Sequence, residues 1–167
     1  MNRKIIKTNR NYTYDILKND LLFLNYEYPF FKINNIGKST LGENIIFIKL
    51  GKGNKKLLIN ASHHANEWMT SLITMMFIEK YLFLYKNNKN YKGFNIEDLW
   101  NNVSLFIVPM VNPDGVNLCL KNKKIISQNL YAEIWGKYIN NLESWKANIR
   151  GVDLKNYQPF SQSLVFV

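Results

Sequence analysis

The sequence predicts an α/β fold in which a mixed sheet is flanked by helices. Two short apolar runs, residues 56–62 and 103–111, are typical of buried strands, and a long apolar helix separates them. Such a strand–helix–strand unit places its two strands parallel, and a hairpin earlier in the chain adds antiparallel strands. With 167 residues the chain is long enough for one domain with a sizeable core, so we expect a single domain over 1–167.

The first predicted element is a helix in TYDILKNDLLFLNYEYP. Thr13 is a suitable N-cap, and Pro29 ends the segment. The apolar side of this helix is expected to consist of four leucines: Leu17, Leu21, Leu22 and Leu24.

The hairpin is predicted over 31–36 and 44–50, with Gly42 in its connection. The run KLLINAS follows, and we expect it to form a fully buried strand. The next helix is predicted over 67–86, and it leads to the strand at 103–111.

After the last strand, Asn112-Pro113-Asp114-Gly115 predicts a turn, because proline fixes φ and Asp-Gly closes such turns. Beyond it we expect a loop, a helix over 128–138 and the start of a strand near Val152.

Composition narrows the class of protein. Hydrophobic residues make up 47% and aromatic residues 14%, which favours a folded globular chain, and one cysteine excludes an internal disulfide. The net charge of +10 allows an anionic partner, but the lysines are scattered and no nucleic-acid-binding motif is present, so no nucleic-acid partner is expected.

Two further expectations concern membranes and location. The most apolar window, 68–85, is interrupted by Glu79 and Lys80, so no membrane span is predicted. The basic start lacks the apolar core of a signal peptide, which predicts a cytoplasmic location. Composition gives no indication of the oligomeric state.

The candidate site residues follow the predicted strands. His64 and Glu67 come after KLLINAS at the carboxyl end of a strand, where ligands of α/β sheets bind. An imidazole and a carboxylate suit Zn²⁺, and Glu67 would face the positive end of the helix dipole. The alternative is an ordinary helix start with a nearby histidine, since His-x-x-Glu is common by chance.

Two cations lie further along, in WKANIRGVD. Arg150 could hold a carboxylate or stabilise an oxyanion. Lys146 comes shortly before it in the same run. The alternative for Arg150 is an ordinary surface arginine.

Three motifs in order, HHANEW, VPMVNPDGV and WKANIRGVDL, resemble the zinc carboxypeptidase (peptidase M14) family. Within it the chain is most similar to bacterial γ-D-glutamyl-L-diamino-acid endopeptidases. The resemblance implies the N-terminal portion of a zinc carboxypeptidase-like fold. It also implies a Zn²⁺ cofactor held by His64 and Glu67, and an oxyanion-stabilising role for Lys146, shared with Arg150.

The resemblance also implies groups that this sequence lacks. The family's third zinc ligand is a later histidine, whereas the two histidines here are His63 and His64. Adjacent residues in extended backbone point to opposite sides, so His63 is a poor replacement. The family's general-base glutamate also lies later, and its usual Asn-Arg pair is replaced by Lys155-Asn156. We therefore expect a truncated family member with an incomplete zinc site and no catalytic general base of its own.

The function implied is hydrolysis of amide bonds in peptidoglycan-type γ-D-glutamyl-diamino-acid peptides, with a cell-wall-derived peptide as substrate. Activity of this chain alone is doubtful because the third ligand and the base are missing. The alternative is an inactive remnant or a non-catalytic peptide-binding protein.

Overall fold

The computed structural model describes residues 4–120 and 141–155. Within them the helices are α1 (Tyr14–Glu27), α2 (Trp68–Lys86), α3 (Ile96–Asn102) and α4 (Pro113–Cys119). The strands are β1 (Lys32–Lys38), β2 (Asn44–Leu50), β3 (Lys55–Asn60), β4 (Asn90–Tyr91), β5 (Phe94–Asn95) and β6 (Val103–Val108). No helix among the described residues combines the length and apolar character needed to cross a bilayer.

The predicted mixed sheet is confirmed. Its strand order is β1-β2-β6-β3, with β1–β2 and β2–β6 antiparallel and β6–β3 parallel. The hairpin is therefore β1–β2, and the predicted parallel crossover runs from β3 through α2 to β6. A separate small hairpin, β4–β5, and helix α3 lie between α2 and β6, where the sequence prediction had no element.

Helix α1 begins as predicted, because the Thr13 hydroxyl accepts a hydrogen bond from the Ile16 N–H at 3.4 Å. Leu17, Leu21 and Leu24 are buried, whereas Leu22 is 70% exposed. The inclusion of Leu22 in the apolar side was wrong, because the buried stripe follows the spacing of three and four residues and Leu22 lies beside it.

The prediction of a fully buried β3 was also wrong. Among residues 4–120 and 141–155, β3 is the outermost strand of the sheet on the side of β6, and its side chains are exposed or half-buried. An outer strand has a neighbour on one side only, so an apolar sequence does not by itself bury it. The two interior strands are β2 and β6, and β6 has a mostly buried pattern.

The segment after β6 differs from the prediction in two places. Asn112 and the residues after it begin helix α4 instead of closing a turn, and the proline stands at the first helical turn, where its missing N–H costs nothing. No strand forms at Val152, whose carbonyl instead accepts from the Asn148 N–H in a tight turn. The helix predicted over 128–138 lies outside the described residues.

The loop before β3 packs directly on the junction of α3 and β6. The Lys52 N–H donates to the Trp100 carbonyl at 2.8 Å, and the Ser104 hydroxyl donates to the Gly53 carbonyl at 2.7 Å. A Cβ at Gly53 would overlap the backbone of Asn102 and Val103. Only glycine allows this approach of two backbones.

Gly53→Ala should therefore destabilise the fold by about 1–3 kcal/mol, the usual cost of forcing extra atoms into a packed site. The control is Gly37→Ala in β1, where a Cβ would meet nothing within 4 Å. Urea unfolding followed by circular dichroism measures both. Equal stability of the two variants would contradict this account of the loop.

Candidate metal centre

The candidate metal pair lies where β3 passes into α2. The chain leaves the strand through Ser62, whose φ of 51° is unusual for a residue other than glycine. A short 3₁₀ turn over Ala65–Glu67 then leads directly into α2. His64 and Glu67 thus stand at the carboxyl end of β3, as the sequence predicted.

The two side chains are in direct contact. The distance between His64 Nδ1 and Glu67 Oε1 is 2.8 Å. The His64 side chain is mostly enclosed, at 13% exposure, while that of Glu67 is half exposed. The carboxylate is therefore open to solvent, whereas the imidazole is largely enclosed.

The other nitrogen of the same ring faces a second carboxylate. His64 Nε2 lies 3.4 Å from Asp153 Oδ1. A neutral imidazole has one N–H, so it can donate to only one of the two carboxylates. If that donor is Nε2, then the Nδ1 lone pair faces Glu67, and a cation between them would satisfy both groups.

The residues fit zinc in type and placement but not in number. An imidazole nitrogen oriented by a carboxylate on its far side is the usual arrangement of a zinc-binding histidine. Two atoms bound to one tetrahedral zinc ion are roughly 3.3 Å apart, a small opening from the observed contact. In residues 4–120 and 141–155, however, no group of three His, Cys, Asp or Glu side chains is arranged to hold a metal ion.

His63 has a different environment from His64. Burial lowers the pKa of His63 below its ordinary value of 6.5, and the charge of the neighbouring His64 lowers it further. Its backbone carbonyl accepts a hydrogen bond from Asn112 Nδ2 at 3.1 Å. The backbone of His63 thus has a structural role beside the metal pair.

A cluster of hydroxyl groups fixes the backbone of Glu67. The Thr70 hydroxyl donates to the Glu67 carbonyl at 2.7 Å, and the Ser62 hydroxyl approaches the same oxygen at 3.1 Å. Ser62 is also bonded to Ser71, with 2.6 Å between their hydroxyl oxygens, and its N–H donates to Thr70. These contacts connect Ser62, with its unusual φ, to the first turn of α2.

Asn112 joins the three segments of the site. Its side-chain N–H₂ donates to the carbonyls of His63 and Ala147, both at 3.1 Å, and its side-chain oxygen accepts from the Gly115 N–H. The side chain therefore caps α4 while connecting the His63–Glu67 segment to the Lys146–Asp153 segment. It is 2% exposed, so water cannot easily replace these bonds.

The two predicted cations lie in the same region. The Lys146 carbonyl accepts from the Ala65 N–H at 2.9 Å, which puts Lys146 beside the turn that carries the metal pair. Arg150 stands in the Asn148–Val152 turn, with its N–H donating to Asn148 Oδ1. Both side chains are exposed, and neither forms a hydrogen bond or ion pair with another described residue. Their role toward an oxyanion stays a prediction.

Sequence reasoning missed two of these residues as site components. Asp153 was present in the quoted GVD run, but contact with a histidine 89 positions earlier leaves no local signal. Asn112 was interpreted as a turn residue, although Asn followed by Pro is also a helix-start signal.

Parallel strands with a helical crossover define an α/β protein, and a His–Glu pair lies at the carboxyl end of one of these strands. The family model described as zinc carboxypeptidase, Peptidase_M14, matches residues 18–163. The chain therefore belongs to the zinc carboxypeptidase family, and the predicted resemblance is confirmed.

Relatives agree with this assignment. "Gamma-D-glutamyl-L-diamino acid endopeptidase 1" of Lysinibacillus sphaericus is 38% identical over 159 residues, which are 93% of this chain and 40% of that protein. Among solved structures, thrombin-activatable fibrinolysis inhibitor matches with a TM-score of 0.63 at 14% identity, covering 99% of this chain and 35% of that one. The bovine form matches with 0.59 at 16% identity, covering 95% and 40%. These structures confirm the fold, and the chain spans about 40% of the length of its relatives.

Asn112→Ala should cost at least about 2 kcal/mol, because it removes a helix cap and leaves two buried carbonyls without a donor. The matched control is Asn95→Ala, which removes only the single exposed cap bond to the Asp98 N–H of α3 and should cost about 1 kcal/mol. Chemical denaturation gives both values. A loss at Asn112 no larger than at Asn95 would show that the bonds to His63 and Ala147 contribute little.

Proposed function

We propose that this chain provides the zinc-binding first part of an M14 metallopeptidase site for peptidoglycan-type γ-D-glutamyl-diamino-acid peptides. The observation that supports it best is the 2.8 Å contact between His64 Nδ1 and Glu67 Oε1 at the carboxyl end of β3. The placement of Asp153 on the opposite ring nitrogen supports the same role for His64. The substrate class is proposed from the 38% identical endopeptidase relative.

In this proposal His64 and Glu67 hold Zn²⁺, and Asp153 orients the His64 ring. Bound zinc supplies a Lewis acid that lowers the pKa of water and polarises an amide carbonyl. Lys146, with Arg150 close by in sequence, provides positive charge for the oxyanion that forms when the amide is attacked. Lysine keeps the charge of an arginine but not its bidentate geometry, so a single point contact is expected.

This chain alone is not expected to hydrolyse the peptide. A catalytic zinc site uses three protein ligands, and the sequence has no histidine besides His63 and His64. The family's general base, implied by the resemblance to lie later in the sequence, is a second requirement. A non-catalytic peptide-binding role is the alternative, and the two-ligand site favours it over independent activity.

Zinc binding tests the ligand assignment. The purified chain should bind Zn²⁺ weakly, and His64→Ala should reduce the affinity by more than the 10–100-fold that is typical for loss of an orienting group. Asp153→Ala should reduce it by about 10–100-fold. Isothermal titration calorimetry measures all three proteins, with Glu97→Gln on exposed α3 as a control that keeps the affinity. Equal zinc affinity in the native chain and in His64→Ala would contradict the assignment.

The same proteins test activity. The purified chain should hydrolyse a γ-D-glutamyl-diaminopimelate peptide no faster than His64→Ala, because a catalytic zinc site uses three protein ligands and the described residues form no such group of three. Product release followed by chromatography is the measurement. Zinc-dependent turnover that Glu67→Ala abolishes would show that this chain holds a complete set of catalytic groups.

A further inference from the structure

The small β4–β5 hairpin carries two exposed aromatic side chains on one face. Tyr91 and Phe94 are cross-strand partners, so their side chains lie on the same side of the hairpin. They are 46% and 63% exposed. The two residues between them, Lys92 and Gly93, have φ of 49° and 85°, the pair of positive values that the tightest hairpin turns use. The turn therefore holds both rings together at one place on the surface.

The tip of this hairpin projects from the domain. In residues 4–120 and 141–155, β4 and β5 pair with each other and with no strand of the larger sheet. Every residue of the two strands is exposed, and a Cβ at Gly93 would meet no atom within 4 Å. The two rings thus stand on a protruding turn.

Lysines surround the rings. Lys80 Nζ and Lys92 Nζ lie 5.6 and 5.8 Å from the centroid of the Tyr91 ring, and Lys89 Nζ lies 5.2 Å from that of Phe83. None of the three ammonium groups forms an ion pair with another described residue. A lysine in such a position covers apolar surface with its stem and keeps its charge in water.

The segment is basic throughout. Positions 80–95 contain four lysines and no acidic residue. Lys86 is bonded to Glu27, with 2.7 Å between Nζ and Oε1. The other three lysines are available to an anionic partner.

The acidic residues on either side of the segment do not cancel this charge. Glu79 is turned toward the start of the chain, where its carboxylate accepts from the N–H groups of Ile5 and Ile6. Glu97 and Asp98 stand in the first turn of α3, where the positive end of the helix dipole offsets part of their charge.

We propose that a face formed by Tyr91, Phe94, Lys80, Lys89 and Lys92, called here the hairpin patch, binds the surface of a membrane that contains anionic phospholipid. The two rings enter the boundary between headgroups and acyl chains, and the ammonium groups contact lipid phosphates. Buried apolar area and attraction to anionic lipid together set the strength of such binding. The proposal rests on the hairpin patch and is independent of the metal assignment.

The arrangement of the patch favours lipid over other anionic partners. Its rings project beside an apolar groove, and the one charged residue among the groove's described lining is Lys80. Apolar surface with cations around it matches the layers of an anionic leaflet, in which acyl chains lie beneath phosphates. A single-stranded nucleic acid would instead need a basic groove that follows its backbone.

The test is flotation of the full chain with vesicles of equimolar phosphatidylcholine and phosphatidylglycerol, compared with vesicles of phosphatidylcholine alone. Flotation separates bound protein from aggregates, which sink. We expect binding to the anionic vesicles only, and weaker binding as salt screens the charges. Phe94→Ser should raise the apparent Kd by about tenfold or more, because it removes a large apolar side chain from the contact. Lys92→Gln should raise it about fivefold, the contribution of one lysine at an anionic leaflet.

Two matched controls distinguish the patch from apolar surface and net charge in general. Phe23→Ser on α1 removes a phenylalanine that is also 63% exposed, but whose neighbours one helical turn away are Asn19 and Glu27. Lys32→Gln removes an equal charge from the exposed strand β1. Both variants should keep the Kd of the native chain.

Three results would overturn the proposal. The first is equal binding to the two kinds of vesicle. The second is a loss in Phe23→Ser as large as in Phe94→Ser, or in Lys32→Gln as large as in Lys92→Gln. The third is binding of a single-stranded oligonucleotide or of polyglutamate by a chain that does not float with anionic vesicles.

Discussion

The candidate site depends on one side chain amide. Asn112 caps α4 with its oxygen and connects the carbonyls of His63 and Ala147 with its nitrogen. Helix α4, His63 and Ala147 belong to three segments that are distant in sequence, and each segment carries part of the candidate site. Because the amide is buried, loss of any of its partners leaves an unsatisfied polar group, and this cost holds the segments in one arrangement.

The same short helix ties the rest of the domain to the site. Asp114 accepts hydrogen bonds from the Ser39 hydroxyl and the Leu41 N–H in the β1–β2 turn, and Asn117 accepts from the Tyr14 N–H at the start of α1. Burial raises the pKa of Asp114, which shows that its enclosure outweighs the hydrogen bonds that favour its charge. The segment NPDGVN is thus a structural junction that connects the β1–β2 turn and α1 to the candidate site.

The His64–Glu67 pair lies shortly after the outer strand β3 in the sequence. His64 Nδ1 and Glu67 Oε1 are 2.8 Å apart, and the described residues form no group of three side chains that could hold a metal ion. β3 carries apolar side chains on both faces, but the described residues place no strand on its free side. Exposed apolar side chains on an outer strand are an aggregation hazard.

The sequence by itself determined the mixed sheet, the α1 N-cap at Thr13, the crossover through α2, the family, and the pairing of His64 with Glu67. The helices, strands and caps depend on local periodicity and capping residues, the His64–Glu67 pair on a spacing of three, and the family on the order of three motifs along the chain. Only the tertiary structure decided that β3 lies outermost, that Asp153 meets His64, and that Asn112 joins distant segments. An apolar run specifies that a strand can be buried, but its exposure depends on which neighbours the whole fold supplies. Contacts between residues far apart in sequence likewise exist only once the chain has folded.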